Sequence, residues 1–123
     1  MRSRIRGQDA SPVRGEVWLV DLSPGRGSEQ SGNRPAVIVQ NDPANRNSRY
    51  PNTVVVAVST KGRDVPTHVA VEPDPDNGLS RASYVKCEQV LTISKGRLKR
   101  LLGRLESRAM ERVNAALRVS LAL

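Results

Sequence analysis

Five short runs rich in Val, Ile and Thr follow one another along the chain with no helical segment between them, and this order constrains the fold more than any other feature. Residues 15–22 (GEVWLVDL), 35–41 (PAVIVQN), 53–59 (TVVVAVS), 67–72 (THVAVE) and 83–93 (SYVKCEQVLTI) are separated by clusters of Pro, Gly, Asn and Asp, the pattern of strands between turns. The first run alternates, placing Trp18, Val20 and Leu22 on one side; the second is continuously apolar and reads as buried. Parallel pairing needs crossovers of a dozen or more residues, usually helical. The expectation is therefore a mainly β fold whose antiparallel strands curl into a small barrel that protects its edges.

After Ile93 the composition shifts to Leu, Arg, Ala and Lys. Leu98, Leu101, Leu102 and Leu105 recur at helical spacing and predict a short helix. Met110, Val113, Leu117 and Leu121 do so again and predict a longer C-terminal one, with Ser107 as its N-cap and Gly103 between the two. A length of 123 residues, 37% of them hydrophobic, supports one core. The domain is expected to span 14–123, preceded by a basic arm over 1–13.

Composition removes several classes of function. One cysteine, Cys87, and one histidine, His68, provide neither an internal disulfide nor a structural zinc site, so no metal or other cofactor is expected. No apolar run reaches the length of a signal peptide or membrane span, which points to a cytoplasmic protein. Lys and Arg total 20 against 12 acidic residues, a net charge of +8, making a polyanion the first partner to consider. The excess is terminal: residues 1–15 carry +3 and residues 94–123 carry +6, while the middle sums to −1. Aromatic residues are only 2%, too few for extended base stacking.

Two connections, 23–34 (SPGRGSEQSGNR) and 42–52 (DPANRNSRYPN), exceed the usual loop length, a trait of functional segments. The first sets Gly25, Gly27 and Gly32 among Arg26, Ser28, Glu29, Gln30 and Arg34, a backbone and donor set able to surround a phosphate. Its spacing matches neither a Gly-Lys-Ser/Thr phosphate loop nor a dinucleotide fingerprint.

The order GEVWLVDL, GSEQSGNRPAVIVQND, TVVVAVST, THVAVE and KCEQVLTI, followed by a leucine-rich C-terminal segment, resembles the MazF/PemK toxin family from Arg14 onward. The resemblance implies an SH3-like barrel with a C-terminal helix, acting as a homodimer. It further implies metal-independent, sequence-specific cleavage of single-stranded mRNA, inhibited by a cognate acidic antitoxin of the MazE type. Matched by motif, Arg34 and Thr60 fall on the family's two principal catalytic positions, with Glu29 and Gln30 on the loop beside them. Here Ser59 precedes Thr60, so two neighbouring hydroxyls compete for one role; Thr60 is taken as the catalytic one. Ser28, Gln30, Ser59, Lys61, His68 and Gln89 complete the expected RNA contacts.

The chemistry can be reasoned separately. Attack by the RNA's own 2′-hydroxyl needs alignment with the phosphorus, stabilisation of charge on the phosphoryl oxygens, and two proton transfers. A histidine pair is impossible with only His68. Arg34 offers a planar fork to phosphate oxygens, but a guanidinium is a poor base at neutral pH. Glu29 is thus a candidate either for the base or for the group that orients Arg34, and Thr60 can donate to a phosphoryl oxygen. Two competing readings are a relative that poisons a topoisomerase through protein contact, as the CcdB branch does, and a non-catalytic RNA-binding barrel.

Overall fold

The computed structural model describes residues 11–23 and 32–123. Residues 1–10 of the basic arm, and Ser28, Glu29 and Gln30 with the rest of 24–31, lie outside the described residues. Six strands run β1 (Glu16–Asp21), β2 (Asn33–Ile38), β3 (Asn52–Ser59), β4 (His68–Val71), β5 (Ser83–Ser94) and β6 (Leu98–Arg104). A five-residue helix α1 (Asp42–Arg46) lies between β2 and β3, and α2 (Ser107–Leu121) ends the chain. Strand order is β4-β5-β3-β2-β1-β6 and every pairing is antiparallel, as expected where no crossover helix intervenes.

Alternation gives the sheet two apolar faces. One buries Val17, Val37, Val56, Val85 and Cys87 beneath Ala109, Val113 and Ala116 of α2. The other gathers Trp18, Val20, Leu22, Ala36, Ile38, Val55 and Ile93. Among the described residues no helix packs on that second cluster. It nevertheless draws in Leu91 of β5 and Leu98 and Leu101 of β6, although three strands separate β5 from β6 in the order, so the sheet must curl to bring them together. The ladder does not close into a barrel. Instead the segment after β4 lies against β6, where the Arg104 N–H donates to the Asp76 carbonyl at 2.8 Å.

Residues 98–104 are a strand, not the helix that the leucine spacing of this segment predicts. The register against β1 slips twice, between Val17 and Trp18 and between Leu19 and Val20, skipping Leu102 and Lys99 on the β6 side. Each bulge adds a residue and changes the phase of alternation. Leu98 and Leu101 therefore face the second core while Leu102 packs on the first. A bulged strand has here reproduced the three-residue spacing of a helix, and Gly103 is a strand residue rather than a helix breaker.

The final helix exists as expected but begins one residue early. Glu106 is its N-cap, without a side-chain cap bond, and Ser107 is the first helical residue. Leu105 is buried and its N–H is held by the Gly15 carbonyl at 2.9 Å, which fixes where the strand ends and the helix starts.

The long connection 42–52 is structural rather than an open functional loop. Asn41 caps α1 by accepting from the Ala44 N–H at 2.8 Å. Buried Asn45 accepts from Gln40 Nε2 at 2.9 Å and from Thr53 Oγ1 at 2.8 Å, and its own Nδ2 donates to the Gln40 carbonyl. Every member is partnered, which is the condition under which a buried polar network stabilises.

A Cβ at Gly103 would collide with the Asp76 carbonyl oxygen and the Asn77 backbone. Main chain on main chain has little room to relax, so Gly103→Ala should lose about 1–3 kcal/mol, the usual cost of overpacking. Urea unfolding followed by Trp18 fluorescence should show a lower midpoint at unchanged slope.

Candidate nucleic-acid interface

The β2–β3 ladder runs Ile38↔Val55, Val37↔Val56, Ala36↔Ala57 and then ends. Pro35 comes next, and proline has no N–H to continue a ladder. Beyond it the strands part, and the space between holds a cleft of about 370 Å³ lined by Arg34, Pro35, Ser59, Thr60, Lys61 and Lys86 among others. Arg34 is exposed and stays anchored on its other side by pairing with Val20 of β1.

The two hydroxyls at the end of β3 are placed differently. Ser59 Oγ accepts from the Lys61 N–H at 3.1 Å, tying the turn that follows the strand. Thr60 stands exposed on that turn.

A second cleft, of about 620 Å³, adjoins the first and shares Lys61 and Lys86 with it; Arg63, His68, Glu88 and Gln89 line its remainder. It is opened by an irregularity in β5. Val56 pairs with Val90 but Ala57 pairs with Lys86, so residues 87–89 have no partner on β3. Within that bulge Cys87 turns into the core, where burial and then the Glu88 charge push its thiol up to about 12. Glu88 is exposed and Gln89 half-buried, with Gln89 Oε1 enclosed and without a hydrogen-bond partner. Partial burial raises the Glu88 carboxyl, but hydrogen bonds from His68 and the backbone outweigh it and hold the group below its ordinary value.

The joined groove thus carries four cations, Arg34, Lys61, Arg63 and Lys86, with Glu88 the one carboxylate among its described lining residues. Of the residues expected from sequence, Arg34, Ser59, Thr60 and Lys61 meet in the first cleft, and Lys61, His68 and Gln89 in the second. Arg63, Lys86 and Glu88 were missed. Lys86 and Glu88 had a signal, since they interrupt the apolar alternation of Val85 and Cys87. Among the described residues no group of three or more His, Cys, Asp or Glu could hold a metal ion, and no helix is long and apolar enough to cross a membrane.

The connection leading to Arg34 is closed at its neck. The Leu22 N–H donates to the Gly32 carbonyl at 3.0 Å and the Gly32 N–H to Ser23 Oγ at 3.1 Å. Arg97 spans the same point, donating through Nη1 to the Ser23 carbonyl at 2.8 Å and the Asp21 carbonyl at 3.3 Å. The Ser23 N–H in turn holds the Asp21 carboxyl below its usual value. Arg97 is one of three C-terminal cations spent on main-chain carbonyls; Lys95 binds those of Ala44 and Asn47, and Arg112 that of Ala70.

An antiparallel sheet bent around one helix, with a cationic groove where its central ladder parts, is the architecture of a small polyanion-binding protein. The family model for PemK-like, MazF-like toxins of type II toxin–antitoxin systems matches residues 13–121. The chain is 46% identical over 114 residues to Endoribonuclease MazF of Staphylococcus saprophyticus, covering 89% of this chain and 91% of the relative. Among solved structures, an endoribonuclease from a mycobacterial species in complex with its cognate antitoxin superposes with a TM-score of 0.76 at 33% identity, over 92% of this chain and 97% of that one. MazF of Deinococcus radiodurans shares the fold at a TM-score of 0.78 and 20% identity, over 94% and 100% of the two chains. The chain belongs to the PemK/MazF family of toxins.

Replacing Arg97 with Ala should loosen the neck without unfolding the domain. Hydrogen bonds from a charged donor contribute about 1.5–3 kcal/mol, so amide exchange at Leu22 and Gly32 should accelerate at least about tenfold. Core amides such as those of Val55 and Val56 should be unaffected.

Proposed function

We propose that the protein is an endoribonuclease toxin that cleaves single-stranded mRNA at a preferred sequence and is restrained by a cognate antitoxin. The observation that carries this reading is the joint presence of Arg34 and Thr60 on one cleft in a chain of the PemK/MazF family. Relatives named Endoribonuclease MazF support the activity, and the mycobacterial endoribonuclease bound to its cognate antitoxin supports the partner. Retention of that pair argues against both a topoisomerase poison and a silent RNA-binding barrel.

In the proposed reaction the 2′-hydroxyl oxygen attacks the adjacent phosphorus, the bond from phosphorus to the 5′ oxygen breaks, and the leaving oxygen takes a proton. The products are a 2′,3′-cyclic phosphate and a 5′-hydroxyl. The strongest requirement is at the phosphoryl oxygens, where charge develops as the nucleophile adds. Arg34 meets it with a rigid fork of charged donors on an anchored strand, and Thr60 adds a hydroxyl from the exposed turn. Ser59 acts through geometry by holding that turn. Lys61 and Lys86 sit at the junction of the two clefts and carry the neighbouring phosphates. Glu29 remains the proposed base or the group orienting Arg34, with Ser28 and Gln30 beside it, and Gln89 lines the larger cleft as a candidate contact to a base. The toxin works as a homodimer in the cytoplasm, without a metal. Its net charge of +8 suits an acidic antitoxin segment that orders on binding.

Arg34→Ala should reduce cleavage about 10²–10³-fold, the usual cost of losing a preorganised donor to developing charge, while the circular dichroism spectrum stays native. Arg34→Lys should recover little, because an ammonium lacks the fork. Mapping of cut ends on a long RNA in EDTA should give the same sites as without chelator, and 2′-deoxyribose on the 5′ side of the cut should block it. Loss of cutting in EDTA with recovery on adding magnesium would refute the mechanism.

A further inference from the structure

His68 lies on the floor of the larger cleft, yet its side chain is only 9% exposed and both ring nitrogens are occupied. Nδ1 accepts from the Arg63 backbone N–H at 3.0 Å, and Nε2 meets Glu88 Oε2 at 2.9 Å. A main-chain amide can only donate, so Nδ1 must be unprotonated and the single proton of the neutral ring sits on Nε2, directed at the carboxylate. Glu88 therefore selects the tautomer, and the tautomer supplies the acceptor.

What that acceptor holds is the turn carrying two of the groove's four cations. The connection between β3 and β4 is tied at its start by Ser59 Oγ and near its middle by His68. Between those points Gly62 lies close against Tyr84, where an added Cβ would collide with the tyrosine's Cβ, Cγ and Cδ2. The Tyr84 and His68 rings are themselves neighbours, with centroids 6.1 Å apart and planes tilted by 56°. The exposed Lys61–Arg63 stretch is thus held from beneath by a carboxylate, an imidazole and an aromatic ring.

We infer that His68 is a positioning residue: held by Glu88 in the Nε2–H form, it uses Nδ1 to fix Arg63, and through it the Lys61–Arg63 turn, along the path of the RNA. This rests on the ribonuclease reading for its consequence but not for its geometry. The imidazole does not touch the reacting atoms and transfers no proton. Its loss frees the turn and scatters two phosphate-binding charges, which costs substrate binding rather than the chemical step. Holding long cationic side chains in one register before substrate arrives lowers the ordering cost of binding.

Two substitutions separate the ring's two nitrogens. His68→Asn puts an amide oxygen near the place of Nδ1 and can still accept from Arg63, whereas His68→Gln reaches toward Glu88 and leaves the Arg63 N–H unpaired. With a short RNA containing a site the wild type cuts, His68→Ala and His68→Gln should raise KM about five- to tenfold, the effect of one lost hydrogen bond, with kcat changed less than about twofold. His68→Asn should restore most of the loss. Long-range proton–nitrogen NMR on the wild type should find Nε2 protonated and Nδ1 bare. An Nδ1–H ring, a fall in kcat at constant KM, or His68→Asn no better than His68→Gln would each overturn the inference. If the wild type cuts no RNA, the ribonuclease reading fails, whereas the NMR result and Arg63 amide exchange in the same variants still decide the positioning role.

Discussion

A single helix cannot cover both faces of a six-stranded sheet, and this shortage governs the rest of the molecule. With α2 on one side, the Trp18–Val20–Ile38 cluster is buried by strands drawn from both ends of the order, Leu91 of β5 and Leu98 and Leu101 of β6 among them. Wrapping requires strands that bend, and the bends occur at bulges in β6 and β5. The β5 bulge is also what lifts Glu88 and Gln89 away from β3 and into the groove. The device that completes the core and the device that shapes the binding surface are the same irregularity.

Much of this was legible in the residues. Five strands could be read from β-branched runs between Pro, Gly and Asn clusters, and antiparallel pairing followed from the absence of crossovers. The sixth strand could not be read, because its two bulges displace Leu98, Leu101 and Leu102 by single residues and imitate a helical period. Bulges depend on partner strands, and local sequence does not report partners. For the same reason the 42–52 connection looked like an open loop, when Asn45 buries it through bonds to Gln40 and Thr53.

The site was partly legible for a different reason. Arg34-Pro35 and Ser59-Thr60 are local motifs whose meeting follows from the hairpin that joins β2 to β3. Arg63 and Lys86 join the groove only through the pairing of β4 with β5 and the turn before β4; nothing near Arg63 in sequence marked it, and the polar position of Lys86 between Val85 and Cys87 did not say which surface it faces. The C-terminal charge excess had the opposite fate. Part of it is scaffolding, since Lys95, Arg97 and Arg112 bind carbonyls of distant segments. These bonds to neutral carbonyls fix where the charges sit without cancelling them, while the groove's four cations are supplied by the nearly neutral middle of the chain.

Pro35 gives the cleft a safeguard that a purely steric account would miss. Two adjacent antiparallel strands with free edges tend to zip together, each new amide bond favouring the next, and zipping here would bring β2 against the end of β3 and seal the groove. An imino acid at that point breaks the sequence of bonds whatever the neighbouring side chains are. Beyond Ala36↔Ala57 the ladder lacks the donor that would carry it on toward Arg34 and Thr60. Among the twenty residues only proline can withhold that hydrogen, so substitution at this position bears on whether a groove forms at all, before it bears on what the groove binds.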